Sequence, residues 1–445
     1  MELRGKDNLI VNINYMLKSF VIYLLRVFSK NIIRKYKPDV VGVTGSVGKT
    51  SSKEAISAVL ATSFVVRSST KNYNNEFGVP LAVIGVDKTP GSSALGWLRV
   101  IAKALRLLCV RDKNYPDMLV LEMGADKPGD IRYLTDIAPC KVGILTFISH
   151  AHTEFFKTIK KISQEKRIII SHLDRDGFAV MNFDNDMVMQ NIKTTRAEVF
   201  TYGFSQGADL QATDLNIIYD QQTGWPTGLN FKIIYKGNIV PVFLPGAISK
   251  PMIYAALSGV AVGTIFGINL VEGVQALRNL KPLAGHMTLL AGIKDTLVVD
   301  DTYNSSPDPS KSALEALSNI RILDSSRRFA VLADMLQLGK ETENAHREVG
   351  FKVAEEGIDY LITVGEAAKH TAQAAKEAGL GEDRVFSFND SVSAGRFLQD
   401  KLKQGDAVLV KGSQSMRMEK VVKEIMAEPL RAKELLVRQG DEWVE

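Results

Sequence analysis

The sequence has 445 residues, enough for two or three domains with buried cores. Hydrophobic residues make up 45% and charged residues 24%, which is typical of an ordinary soluble globular protein. The net charge of +5 suits anionic substrates but does not indicate nucleic-acid binding. The two cysteines, Cys109 and Cys140, exclude a disulfide framework and a cysteine-rich zinc site, and they fit a reducing, cytoplasmic compartment.

The N-terminal segment Leu9–Ile33 is apolar, but Lys18, Arg26 and Lys30 interrupt it. No uncharged run reaches the ~20 residues of a spanning helix, and no small-residue cleavage site follows a short apolar core. The pattern predicts an amphipathic helix with basic residues on one side, and Ala94–Arg111 shows a similar pattern. Such helices either pack on the core of the protein or touch an anionic membrane surface from the inside, and both alternatives stay open.

The remainder of the chain alternates between short apolar runs and helical patterns, which favours parallel sheets flanked by helices. The first series of predicted strands is Asp39–Thr44, Met118–Glu122, Val142–Phe147 and Ala179–Asn182. Asp209–Leu244 alternates apolar and polar residues around turn signals and predicts antiparallel β-hairpins, and Pro251–Phe266 predicts a buried helix. The second series consists of strands at Thr296–Asp300, Phe329–Leu332, Tyr360–Val364 and Ala407–Val410, with helices at Pro309–Ser318, Asn344–Glu356 and Ser391–Lys403.

A glycine-containing segment follows the first predicted strand and opens a helix. Glycines let backbone N–H groups wrap a phosphate, and a helix N-terminus adds positive potential. Lys49 can reach the outer phosphates, and the Thr50 hydroxyl can hold Mg²⁺. Val43 stands where the common P-loop pattern has its first glycine, so a structural glycine turn is the alternative. The predicted phosphate loop comprises Gly45, Ser46, Val47, Gly48, Lys49 and Thr50.

These patterns together predict an α/β fold with two domains. The first is a central P-loop mononucleotide-binding domain, built on a parallel sheet with added β-hairpins. The second is a C-terminal Rossmann-like α/β domain, and a boundary is expected near Lys281–Gly285. The expected division is a basic amphipathic helix at 1–37, the central domain at 38–282 and the C-terminal domain at 283–445.

Seven sets of residues, in order along the chain, form a recognisable series: TGSVGKT at 44–50, TKNYNNEFGVP at 70–80, EMGA at 122–125, His152 with Lys166, DDTYNSSP at 300–307, ADMLQLG at 333–339 with His346, and VKGSQSMRME at 410–419. This series resembles the motifs of the Mur ligase family, and the resemblance runs from about Asp39 to about Ile425. The last three motifs of the series are typical of the branch that adds D-Ala-D-Ala rather than of the family in general.

The resemblance implies an ATP-dependent ligase that forms an amide bond through an acyl-phosphate. Its partners would be ATP, Mg²⁺, a peptide carboxylate acceptor such as a muramyl-peptide, and an amino-acid or dipeptide amine. No nucleic acid is expected. Phosphoryl transfer needs positioning and charge neutralisation more than covalent help from the protein, and the residues named above could supply both.

The family pattern implies roles for individual residues of the phosphate-binding half. Lys49, His152 and Lys166 would be catalytic. Thr50 and Glu122 would hold one Mg²⁺, and His152 would help to hold a second. Lys166 would carry a carbamate as an anionic metal ligand, although a lysine in this basic stretch is otherwise most often solvated. His150 is the weaker alternative to His152.

The resemblance also assigns residues to the two substrates. Asp301 and Asn304 would face the ribose and phosphates of the nucleotide, with a turn-only role as the alternative for Tyr303 and Asn304. Lys411, Ser413 and Arg417 lie in a loop suited to gripping a carboxylate or phosphate, with a plain strand–helix turn as the alternative. Asn74 and Asn75 are assigned to the substrate.

Three features depart from the family pattern. Only about forty residues precede the phosphate-loop strand, too few for the family's UDP-binding N-terminal domain, so the acceptor could be lipid-linked instead. Ile248 and Ser249 stand where the family has His-Asn, which changes adenine recognition, and Gly285-His286 replaces Gly-Arg. Two other functions stay open: a related amino-acid-adding ligase of the polyglutamylating or cyanophycin type, and a nucleotide-binding scaffold without activity.

Overall fold

The computed structural model describes residues 3–69, 73–91, 93–149, 153–440 and 443, and for residues 3–17, 153 and 155 it describes the backbone alone. The strands are β1 Asp39–Thr44, β2 Val66–Ser68, β3 Met118–Glu122, β4 Val142–Leu145, β5 Phe178–Asn182, β6 Glu198–Gly203, β7 Leu210–Tyr219, β8 Pro226–Tyr235, β9 Asn238–Pro245, β10 Thr288–Gly292, β11 Thr296–Asp301, β12 Arg328–Ala333, β13 Tyr360–Val364, β14 Val385–Phe388 and β15 Ala407–Lys411. The helices are α1 Leu3–Tyr36, α2 Lys49–Leu60, α3 Gly78–Ile84, α4 Ala94–Cys109, α5 Asp130–Ile137, α6 Thr153–Phe156, α7 Ile159–Lys166, α8 Ile168–Ser171, α9 Asp186–Met189, α10 Lys250–Ile265, α11 Leu270–Ala276, α12 Pro307–Ser318, α13 Thr342–Glu355, α14 Ala368–Glu377, α15 Ser391–Lys401, α16 Glu419–Ile425 and α17 Ala432–Leu435.

The chain folds into two compact units. The first comprises Met1–Ile148, Ser163–Leu210 and Ala255–Ala276. The second comprises Ser149–Ile162, Gln211–Tyr254 and Leu277–Glu445. The hairpin segment therefore groups with the C-terminal third of the chain, whereas the expected boundary near Lys281–Gly285 places it with the central domain.

The first unit is built on six parallel strands in the order β2-β3-β1-β4-β5-β6. The central strand β1 is buried from Val40 to Thr44 because strands covered on both faces need continuous apolar side chains. The phosphate loop follows this strand directly, so it lies at the carboxyl edge of the sheet, where open α/β folds bind ligands. Helix α10 packs closely on α2, since a Cβ at Gly259 would lie 2.9 Å from the backbone of Ala55.

The second unit contains the antiparallel pair β8–β9 and a six-stranded sheet in the order β10-β11-β15-β12-β13-β14. Only β10 runs antiparallel in this sheet. Two apolar clusters cover it, one including Leu314 and Val349 of α12 and α13, the other including Leu398 and Val422 of α15 and α16. The adjacent β11 and β15 end side by side, which places their following loops together at the carboxyl edge.

The predicted fold class is confirmed: both halves are α/β, with hairpins in between. The strands β1, β3 and β13 have the predicted bounds. Strands β2, β6, β10 and β14 and helices α11, α14, α16 and α17 were not predicted. Among the residues described, no helix is long and apolar enough to cross a bilayer.

Candidate active site

The phosphate loop turns sharply from β1 into α2. Gly48 adopts φ 81° immediately before the helix, a conformation that glycine tolerates without a Cβ penalty. No side chain caps the start of α2, so its first N–H groups are available to a phosphate. Lys49 Nζ donates to the carbonyl of Gly45 at 2.9 Å, and its side chain is half-buried over the loop. The predicted loop therefore has the shape and the donors of an anion site.

Thr146, at the end of β4, buttresses this loop and was not predicted from the sequence. Its Oγ1 donates to the carbonyl of Val47 at 2.6 Å. The backbone next to it accepts from the loop, with Ser46 N 2.6 Å from the carbonyl of Phe147. A Cβ at Gly45 would lie 1.9 Å from Thr146 Oγ1, so only glycine fits there. Thr146 lies about a hundred residues from the loop, and no local motif marks it.

Glu122 ends β3 beside the phosphate loop and is 2% exposed. The parallel pairing of β1 and β3 sets it against Val43. Its Oε2 accepts a hydrogen bond from Thr50 Oγ1 at 2.9 Å, and its Oε1 accepts one from Asn74 Nδ2 at 3.1 Å. The structure thus brings the two predicted metal ligands together in one hydrogen-bonded cluster.

The two asparagines predicted to contact substrate have different surroundings. The backbone carbonyl of Asn74 accepts a hydrogen bond from Gly124 N at 2.8 Å. This bond holds Asn74 against the turn that follows β3. Asn75 Oδ1 accepts from the backbone N–H groups of Phe77 and Gly78 at 3.2 and 3.0 Å. Asn75 therefore caps the start of α3, and Asn74 is the one that reaches the cluster around Glu122. Residues 70–72 of the same motif lie outside the described residues.

Lys166 is the last residue of α7 and is 3% exposed. Burial, together with the positive charge of Lys49, lowers the pKa of its ammonium group from the ordinary value to about 7. The carboxylates of Glu165 and Glu122 oppose this shift. Much of the amine is therefore neutral at neutral pH, which is the form that reacts with carbon dioxide. This burial distinguishes Lys166 from Lys160 and Lys161, which are exposed on the same helix.

Glu165, the neighbour of Lys166 in α7, connects this helix to the start of α5 and was also missed. Its two carboxylate oxygens accept from the backbone N–H groups of Gly129 and Ile131, both at 2.8 Å. This arrangement satisfies donors at the N-terminus of α5, where a negative charge is stabilising. The predicted ligand His152 and its alternative His150 both lie outside the described residues.

The second unit brings Asp301 and Lys411 together at the ends of β11 and β15. Their side chains form a buried ion pair, with Lys411 Nζ 2.6 Å from Asp301 Oδ2. Lys411 also donates to the carbonyl of Asn304 at 2.9 Å, and Asp301 Oδ1 accepts from Met287 N at 3.2 Å. Asn304 Oδ1 accepts from its neighbour Ser305 N at 2.8 Å. In this arrangement the pair holds the 301–304 loop in place.

Ser413 and Asp334 join the loops after β15 and β12. Ser413 Oγ accepts from Leu336 N at 2.9 Å, and Ser413 N donates to the carbonyl of Asp334 at 3.2 Å. Asp334 Oδ1 accepts from Ala368 N at 2.7 Å. His346 of the family motif is buried and bonds the backbone of Met335, and burial lowers its pKa. These side chains therefore organise the loops.

Arg417 lies in a buried network that includes the C-terminal tail. Its Nε donates to Glu419 Oε1 at 2.5 Å, and its guanidinium lies over the ring of Trp443 at 5.2 Å. Glu419 is fully buried and pairs with Arg438 as well, at 2.8 Å. Arg438 also donates to the carbonyls of Thr302 and Tyr303 at 2.5 and 3.2 Å. Arg438 was not predicted, and it connects the tail to the 301–304 loop.

The departures from the family pattern are visible in the second unit. Ile248 is buried in the core together with residues of α12, and Ser249 is 3% exposed. Ser249 lines an open cleft of about 290 Å³ with Lys250 and Tyr219. The ring of His286 stacks on Tyr303 at 4.4 Å, so the histidine supports the 301–304 loop by packing.

Comparisons with known proteins indicate the family of the chain. The family model described as Mur ligase middle domain matches residues 43–245, and the model described as Mur ligase, glutamate ligase domain matches residues 285–414. The UDP-N-acetylmuramoyl-tripeptide–D-alanyl-D-alanine ligases of Bacillus subtilis and Synechocystis are 26% and 28% identical to this chain. These matches cover 91% and 89% of this chain, and 80% and 76% of the two relatives.

A solved structure matches over a similar extent. The crystal structure of MurF ligase from Thermotoga maritima in complex with ADP aligns with a TM-score of 0.74 and 25% identity. The alignment covers 93% of this chain and 84% of the other. The two family models together match about three quarters of the sequence, in the predicted order. The chain belongs to the Mur ligase family.

Proposed function

We propose that this chain is an ATP-dependent ligase that adds D-alanyl-D-alanine to a muramyl-tripeptide in the synthesis of peptidoglycan precursors. The reaction class follows from the family, whose members form C–N bonds at the expense of ATP. The choice of substrates rests on the relatives named above and on the DDTYNSSP and VKGSQSMRME motifs. The single observation that carries the proposal is the cluster of Thr50, Glu122 and Asn74 beside the phosphate loop.

The first step would be phosphoryl transfer from ATP to the acceptor. An oxygen of the acceptor carboxylate attacks the γ-phosphorus and ADP leaves, giving an acyl-phosphate. The N–H groups at the start of α2 and the ammonium of Lys49 would bind the phosphates and offset the negative charge that spreads over them. The amine then attacks the acyl carbon, phosphate leaves, and the amine gives up a proton as the amide forms.

The residues around Glu122 fit a magnesium ion. A threonine hydroxyl and a carboxylate are hard oxygen donors, and Glu122 is a nearly fully buried carboxylate whose described hydrogen bonds come from neutral groups. Lys166 as a carbamate would add a further oxygen donor, and His152 is retained as a proposed ligand. When bound, Mg²⁺ would neutralise charge on the β- and γ-phosphates.

We likewise propose which residues of the second unit contact the substrates. Asp301 and Asn304 would contact the nucleotide, while Lys411, Ser413 and Arg417 would contact a carboxylate or phosphate. Asp301 and Lys411 are the last residues of β11 and β15, and the other three lie in the loops that follow these strands. We also propose a central domain at 38–282 and a C-terminal domain at 283–445, following the N-terminal helix at 1–37. The family models support this division, since one ends at 245 and the next begins at 285.

The test is phosphate release from ATP and Mg²⁺, with UDP-muramyl-tripeptide and D-Ala-D-Ala supplied singly and together. Release that requires both substrates, and is lost in Lys49→Ala, supports the proposal. ATP binding with no turnover under any substrate would favour the nucleotide-binding scaffold. Turnover with glutamate in place of D-Ala-D-Ala would favour a related amino-acid-adding ligase.

A lipid-linked acceptor is the second candidate for the carboxylate substrate. The observation that favours it is the basic and apolar exposed surface of α1 and α4, which suits contact with a membrane where such acceptors reside. Supplying the tripeptide in both UDP-linked and lipid-linked form, at equal concentration, distinguishes the two acceptors. Faster turnover with the lipid-linked form would assign it as the substrate.

A further inference from the structure

Helices α1 and α4 lie side by side and form one surface of the first unit. Near one end, Lys18 of α1 lies 5.6 Å over the ring of Phe77, which in turn contacts Trp97 of α4. Near the other end, Lys35 Nζ donates to the carbonyls of Leu107 and Leu108 at 2.8 and 2.9 Å. These contacts at both ends hold the two helices together as a rigid pair.

Helix α4 carries apolar residues on two faces. One face, which includes Val100, Ala104 and Leu107, is buried against the protein. The other presents Leu95, Leu98 and Leu105 at a spacing that places them on one side of the helix, and they are 61%, 61% and 46% exposed. Soluble monomers rarely expose a contiguous apolar stripe of this kind without a partner.

The same surface continues on α1 and past the end of α4. Phe20, Tyr23 and Val110 are each more than half exposed. Six of the fourteen large apolar residues that are most exposed in the described chain belong to these two segments. We call this set the α1–α4 surface: its apolar members are Phe20, Tyr23, Leu95, Leu98, Leu105 and Val110, and its basic members are Lys18, Lys30, Arg34, Lys37, Arg99, Arg106 and Arg111.

The charge of these helices differs from that of the rest of the chain. Residues 18–37 and 94–111 contain ten lysines and arginines and no aspartate or glutamate. The chain has 55 basic and 50 acidic residues, so everything outside the two segments carries 45 basic against 50 acidic residues. The net positive charge of the protein therefore resides in these two segments.

Most of this positive charge is not neutralised within the protein. Arg26 lies 3.9 Å from Asp136, and Lys35 and Lys103 donate to backbone carbonyls. No salt bridge is formed by the seven basic members of the α1–α4 surface within the part of the chain that the structure describes. They remain available to an external anion.

We propose that the α1–α4 surface binds the surface of an anionic lipid bilayer. The exposed leucines would enter the boundary between headgroups and acyl chains, while Arg99 and Arg106 beside them meet lipid phosphates. Both helices would lie in the plane of the membrane. A second copy of this chain does not fit as the occupant, because two surfaces with seven basic side chains each would repel.

The test is flotation of the full-length protein with vesicles of phosphatidylcholine, with and without phosphatidylglycerol. The protein floats with the anionic vesicles, and binding weakens as salt is raised because the lipid charge is screened. Absence of flotation with anionic vesicles overturns the proposal. Equal flotation with both compositions also overturns it, since the basic residues would then have no part in binding. Concentration-dependent self-association that replaces vesicle binding would identify the surface as a contact between copies.

Two variants assign binding to these residues. Arg99→Gln with Arg106→Gln is expected to weaken partitioning roughly tenfold or more, since each basic residue near an anionic surface contributes favourably. Leu95→Ser with Leu98→Ser removes two leucines of the apolar stripe and is likewise expected to weaken partitioning. The matched control is Leu323→Ser with Leu430→Ser, two leucines that are 71% and 99% exposed elsewhere and should leave binding unchanged.

Two further measurements distinguish a loss of membrane binding from a folding defect and from a defect in catalysis. The arginine variant alters exposed side chains only, so its thermal unfolding should match that of the wild type. Phosphate release with soluble substrates should be the same in every variant, because none touches the phosphate loop. Loss of flotation with unchanged turnover therefore supports the membrane surface whether or not the proposed substrates are correct.

Discussion

Thr50 Oγ1 donates to Glu122 Oε2 at 2.9 Å, which ties the first turn of α2 to the end of β3. Seventy-two residues separate the two, and only the parallel pairing of β1 with β3 brings them together. The contact joins a hydroxyl from the phosphate loop to a buried carboxylate at the carboxyl edge of the sheet. The alternation of strands and helices therefore places the phosphate loop and the end of β3, which are distant in sequence, in one site.

Glu122→Gln should lower ATP turnover by about a hundredfold or more while the fold is kept. The amide has the shape of the carboxylate and can still accept from Thr50, but it lacks the charge that would attract a metal ion. Turnover measured against Mg²⁺ concentration should show a higher requirement for the ion. Thr50→Ser, which keeps the hydroxyl, serves as the control. Wild-type turnover in Glu122→Gln would exclude Glu122 as a metal ligand.

Thr146→Val should loosen the phosphate loop. The substitution keeps the shape of the side chain but removes the hydroxyl that donates to Val47 and leaves that carbonyl unpaired. We expect stability to fall by about 1 kcal/mol and nucleotide affinity to fall with it. Isothermal titration with ADP and chemical unfolding measure the two effects. Thr146→Ser retains the hydroxyl and should behave like the wild type; equal loss in both variants would assign the effect to packing.

Lys166 should carry a carbamate when bicarbonate is present. Because the pKa of its amine is lowered to about 7, the reactive neutral form is abundant above that pH and declines below it. Carbon-13 NMR of protein in labelled bicarbonate at pH 8 should show a carbamate signal that weakens towards pH 6. Lys166→Arg should abolish the signal, whereas Lys160→Arg, an exposed position on the same helix, should keep it. A signal that persists in Lys166→Arg would place the modification elsewhere.

Asp300→Asn should stabilise the protein at neutral and alkaline pH. Burial raises the pKa of Asp300 to about 6, and its Oδ2 has no partner within the described residues. A carboxyl whose folded pKa is raised contributes stability below its unfolded pKa of ~3.9, and this contribution is lost as pH rises through the folded value. The variant should therefore gain up to about 3 kcal/mol relative to wild type between pH 4 and pH 8.

Chemical unfolding of both proteins at pH 4 and pH 8 measures this difference. Asp324→Asn, at an exposed position in the same unit, is the control and should show no such pH-dependent gain. An equal stability difference at both pH values would mean that Asp300 does not titrate in this range in the folded protein.

Arg438→Ala should destabilise the second unit by about 3 kcal/mol, because breaking a buried ion pair leaves a buried carboxylate with less compensation. It should also raise the KM for ATP, since the 301–304 loop loses two hydrogen bonds. Arg438→Lys should recover part of the stability and less of the KM, because lysine cannot reproduce the forked contacts. Arg431→Ala removes an exposed arginine of the same tail and should change little. A stability loss with unchanged KM would limit Arg438 to a structural role.

The sequence predicted those features that depend on local pattern. The continuous apolar run before the phosphate loop identified β1 to the residue, since a strand buried on both faces must be apolar throughout. Strands β10 and β14 lie at the two edges of their sheet and are only partly buried, so they lack the continuous apolar pattern of the central strands. The sequence also selected Thr50 and Glu122 as candidate metal ligands, but it did not predict the hydrogen bond between them.

The residues that were missed act through contacts distant in sequence. Thr146, Glu165 and Arg438 support the loops through backbone groups 34 to 136 residues away. No spacing rule connects such pairs, because their partners are carbonyl and N–H groups that every residue possesses. Asn75 has a structural contact that its family motif did not predict, since its Oδ1 accepts from the backbone N–H groups of Phe77 and Gly78; its contact with substrate stays a prediction.

The bond between Arg438 and Thr302 spans 136 residues, and this separation has a consequence for biosynthesis. A ribosome adding ~5–20 residues per second needs roughly 7 to 27 seconds to extend the chain from one to the other. During that interval the 301–304 loop has been made without the arginine that holds its carbonyls, and Glu419 is likewise made before Arg438, its second partner. The nascent C-terminal unit therefore reaches its final arrangement last, and a chain that ends early would expose an incomplete loop to chaperones and proteases.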